Sequence, residues 1–379
     1  ILLQAGKRGL VCGKILYTDA THVKAKANKH KKETKVIEVT PKEYMTELDA
    51  QIDADRAALG KKPLKPKDRD RGDKGNGGSG ESGESGEEAI GEEVSGETPV
   101  ESQAGSVETR EIQVSRTDPE SGQLHKEGKP DGFHYSEHRT VDSKCNVVVN
   151  VQITAANVND VDPVPEILRD IRSRLGALPT YMGMDAGYHN ARTCRLLAEN
   201  GIQAVVGYRR HTHKGEHLGK YRFRYDPKED NYQCPQGQTL LPRTVNREGY
   251  REYFSDAKLC KDCPIREKCL SEKSTRRLVT RHVWQGALDA ADAFTKTAAG
   301  KALYKLRKQT IERSFAEAKE LHGLRTARML GLLNMREQSF LTAAIQNMKR
   351  IVKALASHLR PSRIMCKPRG CGRIKQRGG

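Results

Sequence analysis

Three acidic residues stand where phosphoryl chemistry could be done. Asp19 follows the apolar run 14–17, Asp185 follows the short apolar run 180–184, and Glu312 sits in a strongly basic stretch of helical pattern. In α/β sheets functional residues collect at the carboxyl ends of strands, so two strand-end aspartates and one helical glutamate are expected to converge. Such a set suits hard divalent cations, Mg²⁺ or Mn²⁺, and two of these about 3.5–4 Å apart suit displacement at a phosphodiester. One ion would activate the attacking water or 3′-hydroxyl, and the other would stabilise the leaving oxygen. Without a cation, three close carboxylates would repel one another and raise their own pKa values. Taken singly, each residue has an ordinary reading: an Asp after a strand commonly closes a turn, and a Glu among basic residues commonly pairs with one of them. Glu317 is a rival on the same helix, but it points well away from Glu312.

A second constellation is formed by Cys234, Cys260, Cys263 and Cys269, in the segments QCPQGQ and LCKDCPIREKCL. Four thiolates complete a tetrahedral zinc shell, and a Cys-x2-Cys element with two more cysteines nearby has that character, although the spacing is irregular for a common finger. The alternative is four reduced thiols packed in a small insertion. Cys12, Cys145 and Cys194 read as core residues, and Cys366 and Cys371 fall in a basic tail.

The elements that must position these groups can be read from periodicity. Residues 13–27 read as a strand, a polar turn and a second strand, with Asp19 just past the first. Residues 28–70 turn basic and helical in pattern, with Met45, Leu48, Ile52 and Leu59 at roughly helical spacing. Residues 72–108 are rich in Gly, Ser and Glu and read as a disordered linker. Order returns near Glu111. Residues 132–157 alternate as two antiparallel strands turning near Asp142 and Ser143, and 162–175 as a helix. Strands are expected at 180–184 and 203–207, flanking a helix capped by Asn190 and stopped by Gly201. Residues 211–298 read as a polar, Cys-bearing, irregular insertion. One long helix is expected at about 302–321 and another at about 334–358. The pattern is an interrupted α/β unit.

The chain has 379 residues, a formal charge of +18, 36% apolar and 31% charged residues. Because 72–108 is acidic, the remainder is more basic than the total, and a fold this basic is expected to meet a polyanion. Aromatic residues make up only 5%, which argues against a base-stacking platform. Trp284 reads as a packing anchor. Candidate phosphate contacts are Arg209 and Arg210, Arg276 and Arg277, the Arg307, Lys308 and Arg313 group, and Arg325 and Arg328. No apolar run approaches the roughly 20 residues needed to span a bilayer. No signal peptide is visible, so a cytoplasmic, nucleoid-associated protein is expected. The start at Ile1 reads as the beginning of a fragment.

Four segments together resemble DDE-type insertion-sequence transposases, particularly the group like insertion sequence 1182. They are YTDATHVKAKA (17–27), GFHYSEHRTVDSKCNVVVNVQITAANVND (132–160), MGMDAGYHNA (182–191) and YKLRKQTIERSFAEAKELHGLRTARMLG (304–331). The resemblance implies an RNase H-like catalytic core. Residues 1–27 would hold its first strands, 28–110 a largely disordered insertion, 111–210 the continued core, 211–298 the Cys-rich insertion, 299–358 the closing helices and 359–379 a basic tail. It implies Asp19, Asp185 and Glu312 as the metal-binding triad, and Tyr304, Arg307, Glu312 and Lys319 as a Tyr–Arg–Glu–Lys signature. Here one extra residue separates Arg from Glu and another separates Glu from Lys. Glu312 and Lys319 nonetheless share a helix face, so Lys319 could reach a phosphate beside the metals. His22 and His189 lie near the site in sequence and read as ordinary polar or packing residues. The implied activity is cleavage at transposon ends and strand transfer into target DNA, by a homodimer or higher oligomer in a synaptic complex. The alternatives are an inactive transposase-derived DNA-binding protein and a related nuclease without strand transfer.

Overall fold

The computed structural model describes residues 1–38, 43–64, 109–125, 131–208 and 216–359. The linker at 72–108, Arg209, Arg210 and the basic tail with Cys366 and Cys371 lie outside the described residues. The elements in chain order are α1 (Leu2–Lys7), β1 (Ile15–Lys24), β2 (Lys32–Glu38), α2 (Glu43–Ala58), β3 (Thr109–Ser115) and β4 (Gly122–Leu124). There follow β5 (Gly132–Asp142), β6 (Val148–Ala155), α3 (Val164–Leu175), β7 (Tyr181–Met184), α4 (Ala191–Glu199) and β8 (Gln203–Val206). Next come β9 (Arg224–Asp226), β10 (Asn231–Gln233), β11 (Thr239–Val245), β12 (Tyr250–Phe254), α5 (Ala257–Lys261), α6 (Arg266–Cys269) and β13 (Leu278–His282). The chain closes with α7 (Gln285–Lys296), α8 (Ala298–Leu306), α9 (Ile311–Leu321) and α10 (Leu332–Leu359).

The chain forms two compact units, one of residues 1–35, 112–219 and 281–379, the other of 36–111 and 220–280. In the first, β5 pairs antiparallel with β1 on one side and with β6 and β4 on the other, while β1, β7 and β8 run parallel. The mixed sheet is covered on both faces. Leu16, Met182, Met184 and Val206 pack with Ile167 and Ile171 of α3, Leu197 of α4 and Ala291 of α7. On the other face Tyr17 and Val141 pack with Ile311 and Phe315 of α9 and Ala343 of α10. Side chains alternate along a strand, so Tyr17, Asp19, Thr21 and Val23 all belong to the α9 face. The helix ends follow local chemistry: Gly176 closes α3 at φ +74°, and the Asn190 side chain accepts from Thr193 N at 2.8 Å to cap α4.

The second unit is built on a sheet in the order β13-β12-β11-β10-β9. Within the expected irregular insertion, residues 220–280 are therefore ordered by short strands, while those from Arg281 onward, Trp284 and α7 included, belong to the first unit. Arg251 ties Asp55 of α2 to Asp230, whose carboxylate also accepts from Tyr225 at 2.8 Å and Tyr253 at 2.6 Å. The expected long helix at 302–321 is also divided. After α8 comes a single 3₁₀ turn, Arg307–Gln309, and Thr310 leaves helical geometry at φ −111°, ψ −89°. The Thr310 hydroxyl donates to Leu306 O at 2.9 Å, the local back-bonding by which threonine bends helices. Among the described residues no helix is long and apolar enough to cross a membrane.

Candidate active site

Asp19 lies inside β1, not past its end. The parallel register pairs Ile15 with Tyr181 and Tyr17 with Gly183. Two residues further along the chain from that last pair come Asp19, within β1, and Asp185, just past the end of β7. Gly183 is required by this pairing: a Cβ there would meet the Tyr17 ring at 2.3 Å, and Tyr17 is itself anchored by its hydroxyl to Leu303 O at 2.7 Å. Asp185 accepts from Gly187 N at 2.7 Å, which fixes the turn leaving β7. Gly207, just past β8, makes room for the Tyr304 hydroxyl, since a Cβ would stand 2.4 Å from that oxygen and 2.9 Å from Ala186 N. Tyr304 is thus packed beside the Asp185 turn.

The break between α8 and α9 brings Arg307 and Glu312 over β1. Arg307 Nη2 donates to Asp19 Oδ2 at 2.5 Å, and Nη1 donates to Glu312 Oε1 at 3.3 Å. Asp19 and Arg307 are largely buried, whereas the Glu312 side chain is 44% exposed. Burial raises the Asp19 pKa, Arg307 opposes the rise and the Asp185 charge adds to it, which leaves it at about 6. Two turns along α9, Lys319 Nζ donates to Thr21 Oγ1 at 2.5 Å, on the same sheet face as Asp19. Burial lowers the Lys319 pKa, and the Arg325 charge adds to this. Glu317 turns instead to α10, pairing with Arg350 at 2.5 Å and Lys349 at 3.6 Å, so it is not part of the site.

The histidines stand elsewhere. His22 bonds Ser136 Oγ at 3.0 Å on the opposite sheet face, and His189 contacts Asp292 of α7 at 2.7 Å. Arg313 is exposed, and Arg325, also exposed, pairs with Glu320. Arg276 and Arg277 lie over the rings of Phe254 and Phe223 in the second unit. Trp284 is buried under the Arg195 guanidinium, 4.2 Å from the ring centre, in the packing role expected of it.

The second unit carries all four clustered cysteines. Cys234 opens a tight turn in which its N–H donates to Gln238 O at 2.8 Å and Gly237 N donates to Cys234 O at 2.9 Å. Cys260 Sγ is 3.1 Å from Ser255 Oγ. Burial raises the Cys269 thiol pKa, and Cys260, Cys234 and Cys263 are close enough to raise it further. The donor chemistry of the carboxylates fits a hard divalent cation, which would offset the repulsion between Asp19 and Asp185. Among the described residues, no three His, Cys, Asp or Glu side chains are gathered closely enough to hold a metal, and Asp19 and Glu312 are joined through Arg307 instead.

Residues 233–352 match the family model of the transposase DDE domain. A curated protein of Burkholderia cepacia, "Putative transposase for insertion sequence element IS402", is 36% identical over 95 residues, 23% of this chain and 44% of that protein. In this region the chain is similar to the DDE-type insertion-sequence transposases. The family match includes Arg307, Glu312, Lys319 and the four clustered cysteines, while Asp19 and Asp185 lie outside it. The chain thus matches less than half the length of its curated transposase relative. No solved structure matches.

Proposed function

We propose that the chain is a DNA transposase of the DDE type, cutting at transposon ends and joining the freed 3′-hydroxyl to target DNA. The observation that carries this reading is that Arg307 bonds both Asp19 and Glu312, with Asp185 close enough for its charge to act on Asp19 and Arg307. Three antiparallel strands followed by two parallel ones, with helices on both faces, support an RNase H-like core. Asp19, Asp185 and Glu312 are the residues that would hold Mg²⁺ or Mn²⁺. When bound, such ions lower the pKa of an attacking hydroxyl and stabilise the leaving oxygen. The chain's own residues orient the DNA. Lys319, seated on Thr21 beside Asp19, offers its ammonium to a phosphate, and Arg307 offers a guanidinium fork of the shape that phosphate oxygens accept. The exposed Arg313 and Arg325 contact the DNA backbone and so fix position rather than sequence. The formal charge of +18 favours such a polyanionic partner. We read the active form as a dimer or higher oligomer, and the four cysteines of the second unit, whose charges act on one another, as ligands that zinc would draw together.

The test is incubation of the chain with DNA bearing the element's own ends and Mg²⁺ or Mn²⁺. Nicking and strand transfer by the wild type are expected to fall at least about a hundredfold in Glu312→Gln, the scale of a lost catalytic group. Undiminished cutting by that variant would overturn the reading. Binding without cutting by the wild type would identify a DNA-binding relic, and cutting without joining a nuclease.

A further inference from the structure

Strand β5 is buried along nearly its whole length, and an ion pair is buried with it. The side chains of Glu137 and Arg139 have no exposed surface, and they meet at 2.5 Å through Arg139 Nη2 and at 2.7 Å through Nε. Arg139 Nη1 donates onward to Ser314 Oγ of α9 at 2.9 Å and to Gln346 Oε1 of α10 at 2.7 Å. Gln346 Nε2 returns a bond to Ser314 O at 2.9 Å, and the Phe315 ring lies 5.0 Å from the guanidinium. One side chain therefore links a central strand to both helices that cover it. Its position is specific: Arg139 is the register partner of Asp19 across β1 and β5, and Ser314 is two residues from Glu312.

Stability alone gives little reason for this arrangement. Replacing a buried ion pair with apolar side chains of similar volume is often neutral or stabilising, whereas a buried pair fixes one geometry among several. The Arg fork is planar, and its bonds to Glu137, Ser314 and Gln346 leave α9 little freedom to slide or turn on the sheet. We propose that Arg139 is a positioning residue of the carboxylate site, setting where α9 lies on β1 and β5 and so where Glu312 stands relative to Asp19. The structural part is independent of any activity, and its consequence for the site rests on the metal-dependent reading above.

Arg139→Met alone would strand the Glu137 charge in the core and could abolish folding. The decisive variant is Glu137→Gln with Arg139→Met, which removes both charges together. In hydrogen–deuterium exchange of the metal-free chain, amides of 311–321 are expected to exchange about tenfold faster or more, while β7, β8 and α4 keep their protection. Unchanged exchange in α9 overturns the proposal, and so does an equal loss across the sheet, which would assign the pair to general stability. In a Mn²⁺ titration the double variant is expected to bind about tenfold more weakly, the scale of a lost orienting partner. It should lose nothing further when Glu312→Gln is added, and Arg139→Lys, which lacks the fork, should not restore binding. Additive losses overturn the proposal. If the wild-type chain takes up no Mn²⁺, the metal reading fails and the exchange result decides the positioning role by itself.

Discussion

Arg307 and Asp19 are 288 residues apart in sequence and 2.5 Å apart in space, through Nη2 and Oδ2. The pair is largely buried, and Asp19 keeps a pKa of about 6 even with this partner, because burial and Asp185 act against its charged form. A folded-state pKa above the unfolded value means that protonated Asp19 contributes stability below roughly pH 4, and that this is lost as pH rises through about 6. Removing the guanidinium raises that pKa further. Arg307→Met is therefore expected to cost about 2–3 kcal/mol at pH 8 and much less at pH 4.5, where Asp19 is protonated in either protein. Urea unfolding in the presence of a chelator checks this, and equal losses at the two pH values would refute it.

His138 gives the opposite dependence. It is fully buried on β5 with Nε2 2.9 Å from Thr154 Oγ1, and burial lowers its pKa to about 4. A depressed folded-state pKa contributes stability above about pH 6.5 that is lost as pH falls through about 4. Compared with His138→Gln, the wild type should lose up to about 3 kcal/mol more between pH 7 and pH 4. Parallel stability curves for the two proteins would show that His138 does not titrate in this window.

At Gly183 the prediction is steric. A Cβ would lie 2.3 Å from the Tyr17 ring, and that ring is held by its hydroxyl bond to Leu303. Gly183→Ala should destabilise by about 1–3 kcal/mol, the range for overpacking a filled site. Most of that loss should disappear in a Tyr17→Leu background, because the two positions are in direct contact. A penalty of the same size in both backgrounds would place the strain elsewhere.

For the cysteines, the measurement is metal content. Protein purified without chelator is expected to carry a stoichiometric amount of zinc, lost in Cys263→Ser. Thiolate ligands must shed their protons to bind, so zinc should also be lost on acidification. Zinc-free wild-type protein of unchanged stability would leave these residues as packed thiols.

Much of the fold could be read from side-chain patterning, because the elements concerned announce their ends. The Asn190 cap and Gly201 bound α4, Gly176 closes α3, and the alternation in 132–157 resolves into β5 and β6. Asp19 and Asp185 are marked in the sequence by the apolar runs before them and all three acids by their flanks, and the structure puts Arg307 in contact with Asp19 and Glu312. What stayed hidden depended on partners distant in sequence. Strands β9–β13 are short, and β11 mixes exposed and buried positions without an apolar run. The break at Thr310 comes from one hydroxyl and a non-helical ψ, in a stretch whose residues otherwise favour helix. Nothing in the segment 132–157 marks Glu137 and Arg139 as buried, and their partners Ser314 and Gln346 lie far along the chain.

The fork of Arg139 also has a consequence in time. Asp19 is made before Gln346 of α10, and a ribosome delivers that helix after the other described elements. Until it emerges, the strand carrying Asp19 has no gauge for the helix carrying Glu312. A nascent chain, or one ended by a premature stop, would thus hold all three acids without the means to align them.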